Sequence, residues 1–223
     1  MREVFQAELQ TIGNDLAEMT TLVAEAFDRA WTSFTTADTE LAQEVIAADA
    51  RIDFKQTQLD ERAIDVLALQ GPVASDLRMI VGSLRMSVSL ERMGDLARHL
   101  AQLTRLRFPS PVVPGSILPT FEEMARLDLA LVGDVSELLK TRDLTVARRI
   151  IENNAKVDEL HASVFRILAS QEWQESAPTT ADTALTSRYL ERFGDHCVAL
   201  ARKVTYLVTG EWEPGLEGEL PVD

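Results

Sequence analysis

Apolar residues recur at helical spacing along most of the chain. Residues 38–69 carry Leu41, Val45, Ala48, Ile52 and Leu59. Residues 143–169 carry Val146, Ile150, Val157, Leu160, Val164 and Leu168, and residues 179–209 carry Tyr189, Phe193, Cys197, Leu200, Val204 and Leu207. Such steps of three, four and seven place each set on one side of an α-helix. The pattern predicts six helices, over 3–35, 38–69, 73–107, 119–141, 143–169 and 179–209. The punctuation agrees. Asp38 is placed to cap the second helix, with Glu40 in its first turn. Gly71-Pro72 ends that helix and starts the third, since proline suits a first turn and not an interior. The run Pro109-Ser110-Pro111-Val112-Val113-Pro114-Gly115-Ser116 breaks any continuous helix, and Ser176-Ala177-Pro178-Thr179 opens the last one.

The chain also repeats itself. Shifted by 100 residues, Ser87, Leu90, Glu91, Arg92, Gly94, Asp95, Leu100 and Ala101 fall on Ser187, Leu190, Glu191, Arg192, Gly194, Asp195, Leu200 and Ala201. A shift of 105 aligns Ile46, Ala50 and Asp53 with Ile151, Ala155 and Asp158. The changed offset requires only a connection five residues shorter in the second half. The expected architecture is all-α: two tandem three-helix bundles related by an internal repeat, over 1–112 and 113–210, with an acidic flexible tail over 211–223.

Composition narrows the function. Hydrophobic residues make up 46% of the 223 positions, enough for a buried core, and aromatics only 6%, which suits aliphatic helix packing. The 36 acidic residues against 22 basic ones give a formal charge of −14. That charge repels phosphate backbones, so nucleic acid is not expected as a partner. It can gather metal cations or meet a basic protein patch. The single cysteine, Cys197, excludes an internal disulfide framework. No apolar run approaches the roughly 18–20 residues that cross a bilayer, and residues 1–20 hold no apolar signal-peptide core. A cytoplasmic protein that does not insert into membranes is expected.

The chemistry rests on acids. Asp49 and Asp53 lie along one edge of the second helix's apolar stripe, and Asn154 and Asp158 lie at the matching edge of the fifth. Glu91 and Asp95 oppose Met86, Leu90, Met93, Ala97 and Leu100 on the third helix, and Glu191 and Asp195 point away from the stripe of the sixth. Acids opposite an apolar stripe are ordinarily a solvated face. Their recurrence in both halves favours a cation site, because like charges at i and i+4 repel by roughly 0.2–0.5 kcal/mol. So do Gly94 and Gly194, since a mid-helix glycine costs about 1 kcal/mol relative to alanine. His99 follows Asp95 by one turn, and carboxylates with an imidazole suit iron, manganese or zinc more than calcium. His161 and His196 read as peripheral, Cys197 as core, and Trp31, Trp173 and Trp212 as local packing.

Gln70-Gly71-Pro72-Val73-Ala74-Ser75-Asp76-Leu77-Arg78 resembles the helix-opening signature of the PhoU family, accessory proteins of phosphate-specific transport. Glu91-Arg92-Met93-Gly94-Asp95 and Glu191-Arg192-Phe193-Gly194-Asp195 resemble its twin ExxxD motifs. The resemblance spans about residues 3–210. It implies multinuclear metal clusters on the protein surface, with ligands carried onto Asp49, Asp53, Glu91 and Asp95 in the first half and onto Asp158, Glu191 and Asp195 in the second. His99 and Ala199 stand where family members often have Asn or Asp, and Asn154 replaces the acid expected from Asp49. By this ligand count the second site has fewer ionised groups, and its occupancy is open. The resemblance further implies a homo-oligomer, a dimer. It implies a negative regulator of phosphate uptake and phosphate-starvation signalling, linking the ATP-binding subunit of the phosphate ABC transporter to a sensor histidine kinase.

Two other readings stay beside the adaptor. A carboxylate di-metal oxidase would call for Glu-x-x-His pairs projecting inward, and none of His99, His161 and His196 has a Glu three residues before it. A purely structural helical scaffold would leave the acids solvated. The sequence contains no nucleophile elbow or Gly-rich phosphate loop, so an enzyme is not expected.

Overall fold

The computed structural model describes residues 2–211. These form six helices: α1 (Arg2–Thr36), α2 (Thr39–Gln70), α3 (Ala74–Arg107), α4 (Leu118–Thr141), α5 (Leu144–Leu168) and α6 (Ala177–Thr209), with no strand among the described residues. The acidic segment from 212 onward, including Trp212, lies outside them. Side-chain caps set several of the boundaries. Asp38 accepts from the backbone of Glu40 at 3.0 Å and Leu41 at 2.9 Å, Asp143 accepts from Thr145 at 2.8 Å, and Ser176 accepts from Thr179 at 3.2 Å. Each satisfies an amide that the helix start leaves without a partner. Gly71 ends α2 in the left-handed region at φ +54°, which glycine enters without a Cβ clash. Pro72 differs from expectation: it lies in the extended link with Val73 rather than in the first turn of α3, which begins at Ala74.

Helices α1–α3 pack on one another, as do α4–α6, and the two triplets join along α3 against α6 and α1 against α4. The repeat extends to burial. Residues 81–97 and 181–197 follow the same order of buried, half-buried and exposed positions without exception. Helices α3 and α6 are therefore packed on several sides, and apolar residues leave most of their surface.

One main core runs through both halves, from Ile12 and Met19 on α1 to Leu200 and Val204 on α6. The Pro-rich link contributes to it, because Val112, Val113 and Ile117 are buried. Three contacts stitch the halves together. The Phe27 and Phe193 rings meet at 4.2 Å, His99 lies against Tyr189 at 5.1 Å, and Arg107 grips the buried Asp182 through two nitrogens, with Nη2 to Oδ1 at 3.0 Å.

Phe27 is fully buried. Phe27→Ala should cost about 3–5 kcal/mol in chemical denaturation, with both halves still unfolding in one transition. Two separated transitions in the wild-type protein would contradict a shared core.

Candidate metal centre

The two glycines explain how acids from neighbouring helices come together. A Cβ at Gly94 would lie 3.3 Å from Asp49 Oδ1 and 2.8 Å from Ile52 Cδ1, while one at Gly194 would collide with Asn154 Oδ1 and lie 3.2 Å from Asp128 Oδ1. In each half the motif glycine makes room for a polar side chain from the preceding helix. Asp49 and Asn154 are both buried. Three of the four other motif acids are not on open faces either: the side chains of Glu91, Asp95 and Glu191 are 20%, 16% and 13% exposed, while that of Asp195 is 41% exposed. The face opposite one apolar stripe of α3 or α6 meets another helix.

The halves then diverge. In the first, the Arg98 guanidinium sits between α2 and α3. Its Nε lies 2.5 Å from Asp49 Oδ2 as a charge contact, without hydrogen-bond alignment, and its Nη2 donates to Asp95 Oδ1. Arg92 Nη1 donates to Asp95 Oδ2 at 2.9 Å. Burial pushes the Asp95 carboxyl up, but the hydrogen bonds and charges of Arg98 and Arg92 outweigh it and hold the group below its ordinary value. Burial raises Asp49 despite the attraction of Arg98. Glu91 is raised by burial and by Asp95. Asp53 is exposed. His99 turns its ring onto Tyr189 of α6, and burial followed by the Arg98 charge depresses its basicity.

In the second half Asp158, Glu191 and Asp195 each bring a carboxylate oxygen within 4.8 Å of the others, the one such group of three or more metal-binding side chains among the described residues. Val198 occupies the position of Arg98. Arg188 binds only Glu191, from the rim, at 2.7 Å, and Arg192 stands 4.0 Å from Asp195. Beneath the three acids lies a residue that the sequence reading passed over. Asp128 of α4 is fully buried, and neither of its carboxylate oxygens has a hydrogen-bond partner. Asn154 Nδ2 donates to Asp158 Oδ2 at 3.5 Å, which leaves its own Oδ1 buried and unpartnered. Buried acceptors without donors are costly unless a proton or cation reaches them. Burial, then the charges of Asp195, Glu191 and Asp158, push Asp128 well above the carboxylate range. Burial and Asp195 raise Asp158, and burial with Asp195 carries Glu191 up to about 7. The signal for Asp128 was present in the sequence: it interrupts the stripe Phe121, Met124, Ala125, Leu131, Val132 and Val135, an acid where an amphipathic helix calls for an aliphatic residue.

The PhoU domain pattern matches residues 16–104 and again residues 121–204, most of each helix triplet. The chain belongs to the PhoU family. It is 36% identical over 212 residues to the phosphate-specific transport system accessory protein PhoU homolog 1 of Mycobacterium leprae (strain TN), covering 95% of this chain and 96% of that one. It is 36% identical over 210 residues to PhoU homolog 2 of Mycobacterium tuberculosis (strain ATCC 25618 / H37Rv), covering 94% and 99%. Among solved structures, PhoU from Pseudomonas aeruginosa superposes with a TM-score of 0.85 at 28% identity, covering 93% of this chain and all of that one. The phosphate transport system regulatory protein PhoU from Streptococcus pneumoniae gives the same TM-score at 24% identity, covering 94% and 99%, and shares the fold. No described helix of this PhoU-family chain is long and apolar enough to cross a membrane.

The second-half acids make a metal-free cluster that dislikes neutral pH. Glu191 is raised from 4.5 to about 7, so the folded chain holds a proton that the unfolded chain releases. Stability from this group is full below about pH 4.5 and is lost as pH rises towards 7. Glu191→Gln should weaken that pH dependence. In chelator-treated protein at pH 7.5 it should raise the melting temperature by about 2–4 °C, the shift that ~1 kcal/mol gives a chain of this size. An unchanged or lower melting temperature would contradict the charge strain.

Proposed function

We propose that this PhoU-family chain is a metal-binding regulatory adaptor that restrains phosphate uptake and phosphate-starvation signalling. It contacts the ATP-binding subunit of a phosphate ABC transporter and a sensor histidine kinase, and acts at the cytoplasmic face as a homo-oligomer. Relatives of nearly the same length carry the name of phosphate-specific transport accessory proteins. The observation that carries the reading is the double match of the family pattern to both halves of the chain. The charge of −14 supplies long-range steering towards basic partner surfaces, and the association rate of such a pair falls as salt screens it.

The donor chemistry fits a metal in the second half. Asp158, Glu191 and Asp195 would hold the ion, with Asn154 Oδ1 and Asp128 beneath. An all-oxygen set without imidazole favours manganese or iron(II) over zinc, which prefers nitrogen and sulfur donors. A bound cation supplies positive charge that lets these carboxylates ionise together, and its uptake at pH 6 releases protons from Glu191. Asp158 and Asn154 belong to α5 and Glu191 and Asp195 to α6, so the ion would tie the two helices and alter the charge that the surface presents to a partner.

Deleting the gene should raise phosphate uptake or starvation-gene expression in phosphate-rich medium. The wild-type gene should reverse this, and a gene carrying Asp158→Asn with Asp195→Asn should not. Unchanged uptake and expression, in cells lacking any second family member, would overturn the assignment. Full reversal by the double variant would remove the metal from it.

A further inference from the structure

We infer that Arg98 serves as a built-in cation for the first acidic cluster, so that the chain takes up metal in its second half alone. This rests on the metal reading above and departs from a scheme with one centre per half. The repeat gives both halves the same backbone frame, with matching burial over 81–97 and 181–197 and a glycine that admits a polar side chain from the helix before. Asn154 in place of Asp49 takes one acid from the second half, and two other positions in that frame outweigh the loss. Where the first half has Arg98, the second has Val198. The shift of 105 also lays the buried α1 positions 16, 19, 20, 26, 27 and 30 on the buried α4 positions 121, 124, 125, 131, 132 and 135, and it places Asp128 where the first half has the apolar core residue Val23. One change removes a base from the cluster and the other adds an acid.

The geometry follows the charge. Arg98 touches a carboxylate on each of the two helices, Asp49 of α2 and Asp95 of α3, and its side chain is 28% exposed. Guanidinium is always charged and spans two carboxylates with its fork of donors. An incoming divalent ion would have to expel that side chain and leave it without partners. The first-half acids also fail to converge: Asp49, Asp53, Glu91, Asp95 and His99 form no group of metal-binding atoms comparable to the one in the second half, within the described residues. In the second half the nearest arginines stay at the rim, Arg188 on Glu191 and Arg192 at 4.0 Å from Asp195. The orphaned oxygens of Asp128 and Asn154 lie beneath the cluster with nothing to offset them.

The test is equilibrium dialysis of the full-length chain against manganese(II) at pH 7.5. Wild-type protein should bind manganese and lose all of it in Asp158→Asn with Asp195→Asn. Arg98→Val, which installs the side chain found at 198, should add a second class of bound manganese that persists when the two second-half substitutions are combined with it. Arg98→Gln, which keeps a side-chain amide donor and removes the charge, should add it too, and covers the case in which Arg98→Val does not fold. Manganese retained by the second-half double variant with Arg98 intact would overturn this inference while leaving metal binding standing. So would the absence of any gain in Arg98→Gln. No manganese on the wild-type protein or on either Arg98 variant would overturn both.

Discussion

The close approach of paired helices at Gly94 and Gly194 governs this molecule. Without a Cβ at those positions, the side chains of Asp49 and Asn154 enter the seam between helices, and motif acids on α3 and α6 become half-buried. Carboxylates there lose water that would screen them, and their mutual repulsion strengthens as the local dielectric falls. Each half must then supply something positive or hold protons. The first half supplies Arg98. The second supplies nothing at that depth, and its acids respond by holding protons, with Glu191 raised to about 7 and Asp128 pushed well above the ordinary carboxylate range.

That difference gives the duplicated fold a division of labour. In the first cluster Arg98 bridges Asp49 of α2 and Asp95 of α3, which partly offsets the acids while burial still raises Asp49 and Glu91. The second is strained by its own charge, and on the proposed reading a cation would relieve it. The proposed ion at α5 and α6 would change the electrostatic face of the protein without refolding the shared core. The cross-links Phe27–Phe193, His99–Tyr189 and Arg107–Asp182 hold the two halves in one frame while this happens.

Much of this was legible in the sequence. The helical periodicity, the caps at Asp38 and Ser176 and the shifts of 100 and 105 led to six helices in two related triplets, because each is a local signal that tertiary context reinforces. The acids were identified as a set, but their environments were not. Glu191 read as outward because α6 was weighed against a single stripe, whereas α6 packs against α3, α4 and α5; Asp195 remains 41% exposed. The role of Arg98, three residues after Asp95, has no local signal, since its reach across to Asp49 depends on how α2 docks. His99 extended the acidic face on paper, and the ring of Tyr189 claims it instead. Counting ionised ligands left the occupancy of the second centre open, but that count omitted the arginine in the first half and the aspartate that α4 contributes to the second. Pro72 fell outside α3 because the chain needs an extended step after the left-handed Gly71 to reverse direction.

The account's central claim is that unbalanced acids, and not the motif as such, decide where the cation sits. Manganese-soaked crystals of the full chain, measured at the manganese absorption edge, read this directly. The account predicts anomalous density among Asp158, Glu191 and Asp195, with Arg98 still seated between Asp49 and Asp95 and no anomalous density there. Density at both clusters with Arg98 displaced, or density at the first cluster alone, would contradict it.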